Sequence, residues 1–164
     1  MKPFLLLCSI AVIAAAGIGL LRAGRDDGPL AARVIYVIDG DTVIARIADG
    51  DRVHVRLIGI DTPEIGHDGE PGECFGRRAA EMTRGLALGR EVTLEVGRER
   101  HDRYGRLLAY VRVLGGPADL ELTLLERGAA RTLAISPNTD RAAVYAEQER
   151  AARRAGRGLW GACP

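Results

Sequence analysis

Three short segments of the chain bring carboxylates and arginines together with hydroxyl residues and tight-turn glycines. They are Asp39-Gly40-Asp41-Thr42, then Arg56-Leu57-Ile58-Gly59-Ile60-Asp61-Thr62-Pro63-Glu64, then Asp102-Arg103-Tyr104-Gly105-Arg106. Carboxylates from two separate turns, Asp41 and Asp61, with a backbone carbonyl beside them, make a hard-oxygen site for Ca²⁺ that water completes. A further carboxylate, Glu64, can take a proton from water. Arg56 and Arg106 can hold charge developing on a phosphate, which a planar bidentate donor does better than a lysine ammonium. A plainer reading stands beside this one: Arg56 and Asp61 could form an ion pair that only knits a surface together.

The elements that must position these side chains are short strands. Arg33–Ile38 alternates and is rich in β-branched residues, so it reads as a strand, and Asp39-Gly40-Asp41 follows as a turn. Thr42–Ile47 is a second strand, Ala48-Asp49-Gly50 a hairpin turn, and Arg52–Ile60 a third strand. Pro63 ends the pairing, because it has no N–H and drives Thr62 towards an extended conformation. Glu64 is therefore carried on a stiff turn at a sheet edge. Ile65–Glu73 is a polar loop in which His67 reads as a solvated residue. Gly76–Leu88 has helical spacing through Ala79, Met82 and Leu86, and Gly89 supplies its C-terminal stop. Glu91–Val96 and Leu107–Leu114 form a strand pair around the loop His101–Arg106. Helices follow over Leu120–Arg127 and Arg141–Ala155, and Leu159-Trp160 tucks an aromatic anchor back onto the domain. The order βββ-α-ββ-α-α predicts an α+β fold dominated by a five-stranded barrel of the oligonucleotide-binding (OB) type with three helices. An open α+β sandwich is the alternative.

Length and charge narrow the setting. The chain has 164 residues and a formal net charge of +1, so no global basic field advertises a polyanionic partner. Any nucleic-acid binding must come from local placement. Phe4–Leu21 carries no charge and follows Lys2, which reads as an export signal over residues 1–23. Cleavage after the Ala14-Ala15-Ala16 stretch and retention as a membrane anchor are both open. Residues 24–30 form a turn-rich linker, and the domain spans residues 31–164. Cys74 and Cys163 are the cysteines outside the leader, and two cysteines in an exported chain favour a disulfide. No Cys-x-x-Cys or His-x-x-His spacing points to a zinc site. A monomer is expected, in the periplasm, secreted, or held at a membrane by residues 4–21.

Taken in order, the three segments resemble the signatures of the staphylococcal nuclease (thermonuclease) family. The third extends through Leu107-Leu108-Ala109-Tyr110, and Leu124–Gly128, Pro137-Asn138 and Leu159-Trp160 lengthen the likeness to about Arg33–Trp160. The resemblance implies a Ca²⁺-dependent phosphodiesterase acting on DNA and RNA. It implies that Asp41 and Asp61 give carboxylates to one Ca²⁺ and Thr62 its backbone carbonyl, and that Glu64 is the general base. Arg56 and Arg106 would bind the scissile phosphate and stabilise the five-coordinate transition state, with Arg103 and Tyr104 on a neighbouring phosphate. The 5′ P–O bond would break, leaving a 3′-phosphate.

One segment departs from the family. The archetype has nucleotide-contacting tyrosines where this chain reads Thr132-Leu133-Ala134-Ile135-Ser136. Since stacking is worth about 1–3 kcal/mol per base, affinity or base preference should differ here. Two other functions compete with the endonuclease. A non-catalytic nucleic-acid or protein-binding module would have lost Arg56, Glu64 or Arg106, and all are present. The other is an envelope phosphodiesterase for small nucleotides.

Overall fold

The computed structural model describes residues 28–66, 69 and 71–164. The leader expected over residues 1–23, most of the linker, and His67 lie outside the described residues. In chain order the elements are β1 (Leu30–Val37), β2 (Thr42–Ile47), β3 (Arg52–Leu57), β4 (Gly59–Asp61), α1 (Gly76–Ala87), β5 (Glu91–His101) and β6 (Leu107–Val113). They continue as α2 (Leu120–Glu126), β7 (Arg131–Leu133), α3 (Ala142–Arg154) and α4 (Leu159–Ala162).

Five strands close into a barrel in the order β1-β2-β3-β6-β5. Strand β3 runs parallel to β6, and the other neighbours are antiparallel. The inward positions are apolar and mostly β-branched or small, with Val34, Val43, Val55, Leu94, Ala109 and Val111 all buried. That alternation of apolar and exposed positions is what lets a short strand serve as barrel wall. The expected α+β, OB-type barrel is the fold observed, with α4 as one further turn beyond the three helices. Among the described residues no helix is long and apolar enough to cross a membrane.

Several boundaries differ from expectation. The third strand does not run unbroken to Ile60. Gly59 takes φ 83°, and a β-carbon there would meet the Tyr145 ring at 2.9 Å. A left-handed residue ends straight pairing, and only glycine tolerates both constraints together. The chain turns out of the barrel, and β4 pairs instead with β7, Ile60 opposite Thr132 and Asp61 opposite Arg131. Strand β7 was not expected, because three residues leave no readable alternation. Strand β5 extends beyond Val96 to His101, past an irregularity in its pairing with β6. At the C-terminus, Leu159 is the buried anchor. Trp160 is half-buried, its ring flanked by the guanidinium groups of Arg131 at 5.5 Å and Arg153 at 5.3 Å.

A buried polar cluster docks α2 and α3 on the barrel. Asp119 caps α2 by accepting from Leu122 N at 2.7 Å, and it also accepts from the Tyr145 hydroxyl at 3.0 Å and Arg141 Nη1 at 2.7 Å. Glu121 is fully buried and accepts the Val111 N–H at 3.0 Å. Burial, with Asp119 adding to it, holds the Glu121 carboxyl well above the usual carboxylate range. The folded protein thus binds a proton at Glu121 that the unfolded chain releases. This contribution is fully present below the ordinary glutamate pKa and is lost as pH rises through the folded value. Glu121→Gln, which keeps an acceptor for Val111 without the charge, should therefore gain stability over wild type as pH rises. Urea midpoints measured from pH 4 to pH 8 check this; a constant gap between the two proteins contradicts it.

Candidate active site

Asp41 is the buried centre of the site. It lies where the turn after β1 enters β2, and its carbonyl accepts the Leu57 N–H at 2.9 Å, which ties that turn to the end of β3. Thr83 of α1 donates to the Gly40 carbonyl at 2.6 Å and holds the same turn from outside. The Asp41 carboxylate accepts from Thr42 Oγ1 at 3.1 Å through Oδ1, and from Thr62 N at 2.7 Å through Oδ2. Two chain segments 21 residues apart are thereby joined at one carboxylate.

Arg56 closes the cluster. Its Nη1 donates to the carbonyls of Leu57 at 2.7 Å and Ile60 at 2.8 Å. Its Nη2 lies 3.2 Å from Asp41 Oδ2 and 3.0 Å from Asp61 Oδ1. Arg56 is only 12% exposed and Asp41 is buried, so their contact is poorly screened by solvent, whereas Asp61 is half exposed. The Arg56–Asp61 ion pair of the plainer reading is therefore present, but it is part of a three-member cluster that includes a buried acid. A pair that merely knits a surface would not reach Asp41.

Negative charge is concentrated here. Burial pushes the Asp41 carboxyl up to about 6 against the opposing pull of Arg56, with Asp39 adding to the rise. Burial and then the charge of Asp41 raise Asp61 as well. Glu64 is exposed, and its carboxyl is raised by partial burial, then by Asp41 and Asp61. It thus shares their field without a hydrogen bond to them.

Arg106 reaches the site from the far side of β3. Arg56 pairs with Leu108 across the parallel β3–β6 ladder, so Arg106, two residues earlier, is one pleat away. Asp102 holds Arg106 in place: it accepts Arg106 Nε at 2.6 Å and the Arg106 N–H at 3.0 Å. Asp102 also accepts the Tyr104 N–H at 2.9 Å. Burial alone would raise the Asp102 carboxyl, but these bonds outweigh it and hold it low, so it stays ionised. The exposed Tyr104 ring lies 4.8 Å from the Arg103 guanidinium and 5.3 Å from that of Arg106. Arg103 Nη2 donates to the Tyr104 hydroxyl at 2.6 Å. Arg56, Arg103, Tyr104 and Arg106 line one cleft of about 450 Å³, whose lining also includes Leu133 and Ile135. Glu64 does not line it. It opens onto a neighbouring depression of about 530 Å³ beside Glu73, Arg77 and Arg78.

Asp41, Asp61, Thr62 and Arg56 thus meet by direct contact, while Arg106, Arg103 and Tyr104 share the cleft wall with Arg56. Cys74 and Cys163 form a disulfide with 5.9 Å between Cα atoms. Asp102 and Glu73 are functional neighbours that sequence reasoning did not assign. For Asp102 a signal existed, since an aspartate whose side chain can accept N–H groups just downstream is a turn-builder. For Leu133 and Ile135 the signal was their place in the segment Thr132–Ser136, where the family archetype carries nucleotide-contacting tyrosines; that they line this cleft follows from the pairing of β7 with β4.

The donor set fits a hard cation. Asp41 and Asp61 offer carboxylate oxygens whose mutual repulsion a cation would relieve. Thr62 Oγ1 beside them is buried with no hydrogen-bond partner, so oxygen donors are in surplus at this corner. Among the described residues no group of three His, Cys, Asp or Glu side chains could hold a metal unaided. Backbone oxygen and water must complete any such site.

A closed OB-type barrel with this carboxylate–arginine cluster at the corner where β4 leaves it defines a class of small barrel with anion-handling chemistry on its wall. The staphylococcal nuclease homologue family matches residues 54–162. The thermonuclease of Staphylococcus hyicus is 34% identical over 128 residues, spanning 78% of this chain and 74% of that protein. The thermonuclease of Staphylococcus intermedius is 36% identical over 124 residues, spanning 76% and 72%. Endonuclease YncB of Bacillus subtilis is 38% identical over 104 residues, spanning 62% and 48%. The chain belongs to the staphylococcal nuclease family.

Proposed function

We propose that this protein is an exported, Ca²⁺-dependent endonuclease that hydrolyses phosphodiester bonds of DNA and RNA. That it is a hydrolase of nuclease type follows from its family and from the thermonucleases and endonucleases it resembles. The observation that carries the finer reading is the buried Asp41, bonded to Thr62 N and paired with Arg56 beside Asp61.

Asp41, Asp61 and the Thr62 carbonyl would hold the Ca²⁺. Bound there, the ion would offset the repulsion between an anionic phosphodiester and the attacking oxygen. Glu64 takes the proton of the attacking water, and its carboxyl, raised by partial burial and then by Asp41 and Asp61, is a stronger base than an unperturbed glutamate. Arg106, oriented by Asp102, presents its remaining donors to the scissile phosphate. Arg56 would offer the same phosphate the Nη2 edge that here lies on Asp41 and Asp61. Both guanidinium groups stabilise the added charge of the five-coordinate transition state. Arg103 and Tyr104 hold a neighbouring phosphate. The 5′ P–O bond breaks and a 3′-phosphate remains.

The aliphatic Leu133 and Ile135 supply the wall where a base would lie, so stacking contributes less to binding than an aromatic wall would. With near-neutral net charge, binding should also weaken only gently with salt. Export is supported by the uncharged run Phe4–Leu21 and by the disulfide, which belongs to oxidising compartments. Whether the leader is cut or retained as an anchor, the domain from residue 31 acts as a monomer.

Digesting a long duplex, a single-stranded RNA and a dinucleotide side by side tests the substrate class. The expected result is cutting of both polymers, with products carrying 3′-phosphate ends. Cleavage of the dinucleotide alone would favour the small-nucleotide phosphodiesterase, and no cleavage of any would favour the binding module.

A further inference from the structure

The backbone of Glu64 is gripped from both sides by a single residue. Glu73 donates its N–H to the Glu64 carbonyl at 3.0 Å, and the Glu64 N–H donates to Glu73 Oε2 at 3.2 Å. Gly76, at the start of α1, lies so close to the same carbonyl that a side chain there would collide with it. Residues 73–76 therefore rest directly on the backbone that carries Glu64. Cys74, in the middle of this stretch, is exposed and is bonded to Cys163, 89 residues on. Its Sγ also lies 3.8 Å from the Ala162 carbonyl of α4.

Resting on the reading of Glu64 as the base, we propose that Glu73 and the Cys74–Cys163 disulfide form one clamp that positions Glu64, so that hydrolysis requires this disulfide to be oxidised. Glu64 stands three residues beyond the end of β4 and has no hydrogen bond of its own to the carboxylate cluster. On its N-terminal side Pro63 restricts the chain. On its C-terminal side the described bonds to its backbone come from Glu73. The disulfide ties the residue next to Glu73 to the far end of the chain, where α4 is held by Leu159 in the core. Reducing it releases Glu73 from that tie, and Glu64 shifts with it. A base displaced by about 1 Å can cost up to about 10²-fold in rate. Cys74 is accessible to a small dithiol, whose thiolate attacks the bond, passes through a mixed disulfide and leaves as its own disulfide while Cys74 and Cys163 become thiols, so the bond can report the redox state of the compartment. Glu73 is a positioning residue in this scheme and touches neither substrate nor water in the reaction.

The test uses the full-length chain and separates positioning from stability. Glu73→Ala, with the disulfide intact, should lower kcat between about tenfold and 10²-fold. KM should change by less than about twofold, because phosphate binding belongs to the arginines. Glu73→Gln keeps an acceptor for the Glu64 N–H and should recover most of kcat. The Cys74→Ser, Cys163→Ser double variant, checked for native circular dichroism, should lose kcat as Glu73→Ala does, again with KM held. Wild-type kcat in the folded double variant, or in Glu73→Ala, overturns the proposal. Should the double variant not fold, the Glu73 pair decides: equal loss in Ala and Gln overturns the proposal, and recovery in Gln supports it. Glu64→Gln runs alongside. If it keeps full activity, the reading of the base fails; if it is inactive while Glu73→Ala is normal, only the clamp fails.

Discussion

Glu64→Gln should lower kcat by about 10²–10⁴-fold while the fold and KM stay close to wild type. The side chain is exposed at the edge of the barrel, so an amide of equal size leaves the core undisturbed. What is lost is the proton acceptor. Partial burial, and then the charges of Asp41 and Asp61, raise the Glu64 carboxyl, which would make it a stronger base than an isolated surface glutamate. Single-turnover hydrolysis at saturating substrate reads the loss directly. A loss of less than about tenfold would remove Glu64 from the role, because general-base help rarely contributes so little.

Arg106→Lys is the second large effect, and it separates geometry from charge. A lysine keeps the positive charge but cannot give Nε to Asp102 at 2.6 Å while offering a planar pair of donors to a phosphate. Loss of one preorganised donor to developing negative charge costs about 10²–10³-fold in kcat, and Arg106→Lys should fall in that range. Asp102→Asn should give a smaller loss in the same direction, since the amide oxygen still accepts the backbone N–H groups of Tyr104 and Arg106 but the NH2 that replaces Oδ2 cannot accept from Arg106 Nε. Steady-state kinetics on a polymer substrate would show it. Equal activity of the arginine and lysine proteins would mean that Arg106 acts only as a distant charge.

Much of this architecture was legible because strand signals are local. Thr42–Ile47 was read with its observed bounds, and α1 and α3 to within a residue or so at either end, since periodicity and terminating glycines act over a few neighbours. The break at Ile58 was not legible. Gly59 looks like one small residue within an apolar run, and the ring that forbids a side chain there belongs to Tyr145, far along the chain. For the same reason β7 was invisible: Arg131-Thr132-Leu133 becomes a strand only because β4 is turned towards it.

The site divides in the same way. Residue types announced carboxylate and guanidinium chemistry, but contact between Asp41 and Thr62 N is a tertiary event. Arg56 is the instructive case. Its bonds to the Leu57 and Ile60 carbonyls are local, yet its Nη2 is held by Asp41 from the turn before β2, so the arginine organises the acids. Glu73 read as one more acidic loop residue, and only the reciprocal pair of bonds with Glu64 gives it a task.

The central claim is that Asp41 and Asp61, crowded around Arg56, serve a Ca²⁺-dependent phosphodiester hydrolysis. Plasmid digestion by the full-length protein, with Ca²⁺ and with excess chelator, tests it most directly, with Asp41→Asn in parallel. Nicking and linearisation are expected with Ca²⁺, none with chelator, and little in the Asp41→Asn protein at either condition. Equal cutting with Ca²⁺ and with chelator would contradict it.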